Sequence, residues 1–211
     1  MTTEACPLCD SAADEYYKTK KRTFFSCQGC RAVFLPERYF VDENAEISRY
    51  SQHNNDVSDE RYQNFVSPIV EHIMDDFSSN DIGLDFGAGT GPVISKMLID
   101  QGYTIRQYDP YFHNFPELLD SRYDYIACCE VIEHFYDPTK EFELLKNLLV
   151  PGGKLFCITS IYNDNIDFPN WYYKNDPTHV FFYREETLKY IKEQFGFLDL
   201  SIKNNLIILS A

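Results

Sequence analysis

The sequence predicts an α/β protein built on a doubly wound parallel sheet, with a small cysteine-rich module ahead of it. An apolar run over residues 82–86 breaks into a glycine-rich turn and then a helical pattern, and further strand-like and helix-like runs alternate after it. Two Cys-x-x-Cys pairs stand within the first 30 residues. Alternating strands and helices are typical of a parallel sheet covered by helices, which is the fold class we expect.

Length and charge limit the classes of function. The 211 residues suffice for one full α/β domain and a small extra module. The formal net charge of −14 leaves no broad basic surface, which argues against extended nucleic-acid binding. The first residues lack the regions of a signal peptide, and no apolar run reaches the length of a membrane span. We therefore expect a cytoplasmic protein without membrane contact, whose oligomeric state the sequence does not indicate.

The seven cysteines fall into two groups by their spacing. Three of them lie inside apolar strand patterns: Cys128, Cys129 and Cys157. The other four form two pairs separated by seventeen residues: Cys6, Cys9, Cys27 and Cys30. Two such pairs predict a tetrahedral structural zinc site because each presents two thiolates to one ion. We expect a four-cysteine zinc ribbon over residues 1–38, with a redox dithiol pair or a disulfide pair as the alternative.

A basic cluster lies between the two cysteine pairs and consists of Lys18, Lys20, Lys21 and Arg22. It is predicted to be a solvated hairpin tip, or else a contact for an anionic substrate. Aromatic residues are expected to supply the few apolar contacts of so small a module: Tyr16, Tyr17, Phe24, Phe25 and Phe34.

Residues 39–80 are predicted to link the ribbon to the main domain. The polar stretch 40–55 has no clear period and is predicted to be a connector. From Asp59, apolar residues recur at helical spacing as far as Phe77, with Ser58 as the predicted N-cap. This pattern predicts an amphipathic helix that packs on the following domain.

A glycine-rich turn is the centre of the main domain, which is predicted to cover residues 81–211. It carries Asp85, Gly87, Gly89 and Gly91. Such a turn leaves backbone N–H groups and the positive end of a helix facing a ligand that can approach closely. A dinucleotide fingerprint would need a glycine where Pro92 stands, so a pyrophosphate ligand is disfavoured. The alternative is a turn that only allows close packing of strand on helix.

The next strand is predicted over residues 103–108 and ends in Asp109. Asp109 stands 24 residues past Asp85, where a doubly wound fold places the carboxylate that binds ribose hydroxyls. An Asp before a Pro is also a common turn initiator, and this alternative stays open. Only fourteen residues then precede Asp124, too few for a helix and a strand with their loops, so the third strand is predicted to be reduced or missing.

The following segments complete a recognisable order of motifs. A strand over residues 123–129 leads into Glu130-Val131-Ile132-Glu133-His134, and Asp137-Pro138 opens a helix. Pro151-Gly152-Gly153 then leads into a strand over residues 154–159. Together with the glycine-rich turn, this order closely resembles the motifs of the class I S-adenosylmethionine-dependent methyltransferases. The resemblance extends over residues 83–159.

The resemblance implies a Rossmann-like methyltransferase sheet that ends in an antiparallel strand pair. A hairpin across Asn204-Asn205, after a helix over residues 184–195, matches that pair. The resemblance also implies S-adenosylmethionine as the cofactor, and we expect it to contact Asp85, Gly87, Gly89, Gly91, Asp109 and Cys129. By position only, it makes Tyr50, His53 and Asn54 candidates for a lid over the cofactor, with ordinary linker polarity as the alternative.

The acceptor side is predicted from residues near the ends of the strands. The aromatic loop over residues 162–173 is expected to form the acceptor pocket. Glu130, His134 and His179 are the predicted catalytic residues, since a base that deprotonates the acceptor is the main chemical need. The Glu-x-x-Glu-His motif, with Glu133 and a later histidine, is similar to the metal site of small-RNA 2′-O-methyltransferases and ubiquinone-pathway O-methyltransferases. That similarity implies Mg²⁺ or Mn²⁺ here, against the alternative of structural histidines.

The function expected from these features is methyl transfer from S-adenosylmethionine, with oxygen of a small-molecule or glycan-like acceptor as the target. One alternative is a zinc-ribbon binding or regulatory protein whose methyltransferase-like domain binds a nucleoside without turnover. A nicotinamide-dependent oxidoreductase is a further alternative, which Pro92 disfavours.

Overall fold

A computed structural model describes residues 3–52 and 56–211 as two β-sheets with helices between and around them. A small antiparallel sheet contains the N-terminal strands, and a larger, mainly parallel sheet contains most of the rest. None of the helices in these two ranges combines the length and apolar character that a bilayer crossing requires. The cytoplasmic location stays a prediction.

The small sheet is the predicted ribbon with one additional strand. Its strands are β1 (Thr3–Ala5), β2 (Ala12–Lys18), β3 (Thr23–Cys27), β4 (Val33–Phe34) and β9 (Phe181–Phe182), in the order β1-β2-β3-β4-β9. All neighbouring pairs are antiparallel. Strand β9 comes from far outside the predicted ribbon range of 1–38, and two residues of strand carry no pattern that the sequence could reveal.

Two helices connect the sheets, α1 (Glu43–Tyr50) and α2 (Glu60–Asp76). The predicted connector therefore contains a helix, whose N-cap Asp42 accepts a hydrogen bond from the Ala45 N–H. It has no apolar period because its one buried residue is Glu46. Helix α2 was predicted, although its N-cap is Asp59 and not Ser58, and it buries Val66, Ile69, Val70 and Ile73.

The large sheet confirms the predicted doubly wound fold. Its strands are β5 (Ile82–Phe86), β6 (Thr104–Tyr108), β7 (Tyr123–Cys129), β8 (Leu149–Ile158), β10 (Asp199–Lys203) and β11 (Leu206–Ser210), in the order β10-β11-β8-β7-β5-β6. Strands β8, β7, β5 and β6 are parallel, whereas β10 and β11 form the predicted antiparallel pair. The main helices are α3 (Val93–Asp100), α4 (Pro138–Asn147) and α5 (Glu185–Gln194).

The third strand is missing, as the short gap predicts. The described chain between β6 and β7 holds a 3₁₀ helix, Pro116–Asp120, and no further strand of the sheet. Strand β6 is therefore one edge of the large sheet, and β10 is the other. Strand β8 begins at Leu149, before the predicted Lys154, because Leu149 already pairs with Tyr123 of β7. An irregular stretch that contains Gly152 at φ +83° then leads to the pairing of Lys154 with Tyr125.

One continuous apolar core joins the ribbon to a face of the large sheet. The aromatic loop 162–173 lies in this core, where the Phe168 ring packs 5.2 Å from the rings of Tyr16, Phe24 and Tyr162. The rings of this loop thus cover the ribbon. The opposite face of the sheet has a separate core under α2 and α3.

Candidate active site

A cavity of about 840 Å³ opens at the carboxyl ends of β5, β6 and β7. The glycine-rich turn forms one wall, and residues of α1, α2 and the segment after β7 form the others. Every cofactor and catalytic residue predicted from the sequence lines it: Asp85, Gly87, Gly89, Gly91, Asp109, Cys129, Glu130, His134 and His179. The loop 162–173 does not line it, so the expectation that this loop forms the acceptor pocket is wrong.

The glycine-rich turn owes its shape to backbone conformations that side chains disfavour. Gly87 has φ +78° and Gly89 has φ +60°, and the N–H groups of Gly87 and Ala88 both donate to the Tyr108 carbonyl. A Cβ atom added to Gly87 would lie 2.4 Å from a methyl group of Val131. Gly87 is therefore required both for the turn and for the close approach of the segment after β7.

Asp85 is a buried carboxylate at the end of β5. It is 4% exposed and accepts a hydrogen bond of 2.7 Å from the Ser95 hydroxyl on α3. Burial raises the pKa of Asp85 to about 6, and the hydrogen bond from Ser95 opposes that rise. The Asp85 carboxylate is therefore mainly ionised at neutral pH, although its burial under the glycine-rich turn makes ionisation unfavourable.

Asp109 connects the glycine-rich turn to the end of β6. Its carboxylate accepts hydrogen bonds from the backbone N–H groups of Gly89 (3.0 Å), Tyr111 (2.8 Å) and Phe112 (3.0 Å). These three bonds occupy most of the roughly four acceptor positions of a carboxylate. Asp109 thus stabilises the turn at Pro110, which was the alternative role considered for it. One acceptor position of its carboxylate is left for a ligand hydroxyl.

No helical turn spans Glu130 to His134, so helical spacing does not place these side chains on one face. Glu130 has φ +53° and only Ile132–His134 forms a 3₁₀ turn. The Tyr173 hydroxyl instead joins the two carboxylates, at 2.6 Å from Glu133 and 3.2 Å from Glu130. Burial and the charge of Glu133 raise the pKa of Glu130 to about 8, so Glu130 holds a proton at neutral pH.

The two histidines present the same ring nitrogen to one point. The Nδ1 atom of His134 lies 2.9 Å from the Thr178 carbonyl, and that of His179 lies 2.8 Å from the Tyr173 carbonyl. Because a carbonyl only accepts, both rings carry a proton on Nδ1, and the neutral form of each ring has its lone pair on Nε2. These Nε2 atoms lie 3.8 Å and 4.0 Å from Oε1 of Glu133. Burial lowers the pKa of His179 to about 4, so the ring is neutral at pH 7.

Helix α1 covers this part of the cavity with Tyr50 and with Glu46, which the sequence analysis missed. The Tyr50 ring packs edge-on 5.2 Å from the His134 ring, and Glu46 accepts hydrogen bonds from the hydroxyls of Tyr50 and Tyr111. Tyr50 was a lid candidate by position, whereas His53 and Asn54 lie outside the described residues. The available signal for Glu46 was the Asp42 N-cap, which places Glu46 on a helix.

The four predicted zinc ligands come together in the ribbon, away from the cavity. The sulfur atoms of Cys6, Cys9, Cys27 and Cys30 lie within 4.8 Å of one another, and these cysteines form no disulfide. The Cys6–Cys30 and Cys9–Cys27 sulfur distances are 3.6 Å and 3.3 Å. Tetrahedral zinc with bonds of about 2.3 Å needs sulfur separations of about 3.8 Å, so the cluster fits a zinc ribbon after a small expansion.

Comparison with known proteins matches most of the chain to one family. A family model described as a methyltransferase domain covers residues 58–202. A ubiquinone biosynthesis O-methyltransferase of Erwinia tasmaniensis is 28% identical over 91 residues, which are 43% of this chain and 37% of that protein. A second, from Serratia proteamaculans, is 29% identical over 77 residues. The aligned parts of the chain thus span only 37% and 32% of these two relatives.

Two solved structures share the fold at low sequence identity. The 1,6-didemethyltoxoflavin-N1-methyltransferase of Burkholderia thailandensis, with bound S-adenosylhomocysteine, is 14% identical with a TM-score of 0.53, and the match covers 94% of this chain and 98% of that one. Human N-acetylserotonin methyltransferase in complex with S-adenosylmethionine is 13% identical with a TM-score of 0.53, over 80% of this chain and 56% of that one.

Proposed function

The chain belongs to the methyltransferase-domain family, and from that membership we propose that it transfers a methyl group from S-adenosylmethionine to a hydroxyl of a small or glycan-like molecule. One observation carries the proposal: the cavity at the carboxyl ends of β5, β6 and β7 collects every predicted cofactor and catalytic residue. It has the size and the concave form of a small-molecule site.

The cofactor is proposed to lie along the glycine-rich turn. Its methionine end would contact Gly87, Gly89 and Gly91 beside the Asp85 charge, and its ribose would donate to Asp109. Cys129 lies next to Glu130 at the carboxyl end of β7 and would contact the cofactor from the other wall. The sulfonium group of the cofactor supplies an electrophilic methyl group and a neutral thioether leaving group.

The acceptor is proposed to bind between α1 and the two histidines. The lone pair on Nε2 of His179 or His134 would take the proton of the acceptor hydroxyl, and the bound cofactor would supply the methyl group to that oxygen and leave as the neutral thioether. The relatives from Erwinia tasmaniensis and Serratia proteamaculans are O-methyltransferases, which supports oxygen as the target. Lys140 is the one Lys or Arg among the described cavity residues, against six Asp or Glu, so we propose an acceptor without negative charge.

A divalent cation beside the acceptor is a second proposal, favoured by the converging lone pairs. One ligand atom each of Glu133, His134 and His179 lies within 4.8 Å of the others, although the Tyr173 hydroxyl already donates to Oε1 of Glu133 at 2.6 Å. Carboxylate and imidazole ligands suit Mn²⁺ or Mg²⁺, which would acidify a bound hydroxyl. Glu130 is not within this group, although Tyr173 connects it to Glu133.

The experiment that tests the main proposal uses labelled cofactor. The purified protein is incubated with S-adenosylmethionine carrying a labelled methyl group and a panel of neutral hydroxylated metabolites, with matched carboxylated and phosphorylated analogues. We expect label in a neutral acceptor. Calorimetric titration with S-adenosylhomocysteine and with NADH should show binding of the first only. Binding without transfer to any acceptor would favour a non-catalytic nucleoside-binding protein, and binding of NADH alone would favour an oxidoreductase.

The metal proposals need separate measurements. Elemental analysis of protein purified without chelator should find one zinc per chain, absent in a Cys27→Ser variant and retained in Cys157→Ala. Zinc at less than a stoichiometric amount in the unaltered protein would contradict the ribbon site. For the cation beside the acceptor, loss of transfer with chelator and its recovery with Mn²⁺ would support the proposal, and transfer that chelator leaves unchanged would reject it.

A further inference from the structure

The segment that carries His179 is held by the ribbon as well as by the large sheet. Arg22, immediately before β3, extends its guanidinium to three consecutive carbonyl groups of this segment. Its donors lie 3.0 Å from the carbonyl oxygen of Lys174, 3.3 Å from that of Asn175 and 3.2 Å from that of Asp176. Arg22 is thus not part of the solvated hairpin tip expected for the basic cluster, whereas Lys20 and Lys21 are exposed.

A second connection follows on the other side of His179. Strand β4 of the ribbon pairs with β9, and the Leu35 N–H donates to the Val180 carbonyl at 2.8 Å. The Val180 N–H in turn donates to the Glu133 carbonyl at 2.9 Å. The residue after His179 is therefore bonded to the ribbon through its carbonyl and to the Glu133 backbone through its N–H.

The backbone held in this way determines how the His179 ring is oriented. The Nδ1 atom of His179 donates to the carbonyl of Tyr173, the residue immediately before the three carbonyl groups that Arg22 holds. Asp176 strengthens the turn from within, because its carboxylate accepts from the Thr178 N–H and hydroxyl and from Arg49 of α1. A shift of residues 173–176 would therefore break the hydrogen bond from Nδ1–H of His179 to the Tyr173 carbonyl. The ring could then rotate and turn Nε2 away from Glu133.

We propose that the ribbon is a positioning element of the active site, in which Arg22 and strand β4 hold residues 173–180 so that Nε2 of His179 faces Glu133. The inference rests on the proposed function for the role of His179, and it gives the ribbon a task beyond its own fold. Arg22 acts through the loop and is a positioning residue. It touches neither the cavity nor a proposed ligand.

The test compares Arg22→Met, which keeps most of the side-chain length and removes the donors, with Arg22→Lys and with the control Lys20→Met on the same hairpin. Amide hydrogen exchange followed by mass spectrometry measures the loop, with the peptides of β7 and β8 as an internal reference. We expect exchange in residues 174–180 to rise at least about tenfold in Arg22→Met, to rise less in Arg22→Lys, and to stay unchanged in Lys20→Met.

A second measurement tests whether Arg22 orients the His179 ring or only stabilises the loop. The ¹⁵N shifts of labelled histidine rings report which nitrogen carries the proton, and His179 should change from the Nδ1–H form to a mixture in Arg22→Met only. Unchanged exchange and an unchanged ring in Arg22→Met would overturn the proposal. If amide exchange in Arg22→Met rises throughout the large sheet, that variant is unfolded as a whole. The Arg22→Lys variant is then judged instead, by the exchange of residues 174–180 and by the His179 ring shifts.

The failure of this inference is distinguishable from a failure of the proposed function. Titration with S-adenosylhomocysteine should give the same affinity in the unaltered protein and in all three variants, because the cofactor half of the cavity does not include the loop. Absence of binding in the unaltered protein would contradict the proposed function whatever Arg22 does. Intact binding with an unaffected loop would contradict only the role of the ribbon.

Discussion

The two halves of the cavity are built in different ways. The proposed cofactor half is mainly backbone, drawn from one contiguous turn and the strand ends beside it, with Asp85 and Asp109 held by hydrogen bonds inside the protein. The proposed acceptor half consists of side chains from separate segments: Tyr50 on α1, Glu130 and His134 after β7, and His179 before β9. The hydrogen bonds that hold Asp85 and Asp109 span at most 20 positions of the chain, whereas the second half depends on contacts between distant parts of the chain.

This difference between the two halves indicates where the protein can tolerate substitutions. A backbone surface fails when a side chain is added, because the turn has no room and no other conformation. A side-chain surface can change its chemistry one residue at a time while the cofactor half stays intact. We expect substitutions in the first half to affect cofactor binding or stability, and substitutions in the second to affect turnover alone.

The largest effect is expected for Gly87→Ala. The new Cβ meets Val131 at 2.4 Å in a backbone with φ +78°, so strain and overpacking together should cost about 2–5 kcal/mol of stability. Cofactor binding should fall below detection. Gly102→Ala is the matched control because Gly102 has φ +82° and no atom within 4 Å of the added Cβ, so only the strain of about 1–2 kcal/mol remains.

A double variant tests the cause of the stability loss in Gly87→Ala. Adding Val131→Ala to Gly87→Ala removes the methyl groups that clash, and thermal or urea unfolding should show part of the stability restored. Equal losses for Gly87→Ala and Gly102→Ala would mean that close packing at Gly87 is unimportant, and the backbone description of the cofactor half would be wrong.

Asp85→Asn should stabilise the protein at neutral pH. The pKa of Asp85 is raised in the folded state to about 6 from 3.8, so the fold disfavours the ionised form. The cost is absent below about pH 4, where both states hold the proton, and is complete above pH 6. It amounts to about 3 kcal/mol at 1.36 kcal/mol per pKa unit. Urea unfolding across pH 4–7.5 measures it, with the exposed Asp75→Asn as control.

Cofactor binding by Asp85→Asn sharpens the comparison. If the carboxylate charge assists the cationic cofactor, affinity should fall roughly tenfold, the scale of a lost bond to a charged group. An unchanged affinity would show that the cofactor half binds through backbone alone. A variant that is no more stable than the unaltered protein at pH 7 would contradict the desolvation cost.

His179→Ala tests the side-chain half. With the acceptor identified by label transfer, turnover should fall about 100-fold, the usual scale for removing a general base, while the affinity for S-adenosylhomocysteine stays the same. The control is His72→Ala on α2, whose ring forms a hydrogen bond with the Pro68 carbonyl of the same helix and does not line the cavity. Turnover that survives in His179→Ala would leave His134 as the base, and lost cofactor binding would contradict the separation of the two halves.

Asp109→Ala should have the smallest of these effects, a weakening of cofactor binding by about 1–3 kcal/mol. The loss has two sources, the ribose contact and the released N–H groups of Gly89, Tyr111 and Phe112. Titration with adenosine and with 2′,3′-dideoxyadenosine separates them. Removal of the hydroxyls should weaken binding to the unaltered protein and leave binding to Asp109→Ala unchanged. Equal effects in both proteins would place the ribose elsewhere.

Features encoded by local pattern were predictable from the sequence. The glycine-rich turn, the two cysteine pairs and the helix that begins at Asp137 each lie within a few residues of the chain, where backbone chemistry dictates the structure. The missing third strand also followed from chain length, since residues 110–123 are too few to form it. The ribose role of Asp109 and the catalytic roles of the histidines stay predictions.

Features encoded by distant contacts were not predictable. The bond from Tyr111 to Glu46 spans 65 positions and those from Arg22 span more than 150, and no period or spacing in the sequence reveals them. The same reason explains the error on loop 162–173. Its aromatic residues are typical of a binding loop. In the folded protein, however, Phe168 of this loop packs against Tyr16 and Phe24 of the ribbon, so the loop is used to bury the ribbon and not to bind a ligand.

The pairing of β4 with β9 has a consequence for synthesis on the ribosome. Phe34 pairs with Phe181, which is 147 residues later in the chain. At translation rates of about 5–20 residues per second, the emerging ribbon waits about 7–30 s before its last strand is made. During that time the edge of β4 offers unpaired backbone groups to any neighbouring nascent chain. Slow codons between these positions would lengthen the exposure, and a chaperone that covers strand edges would protect the protein most in this interval.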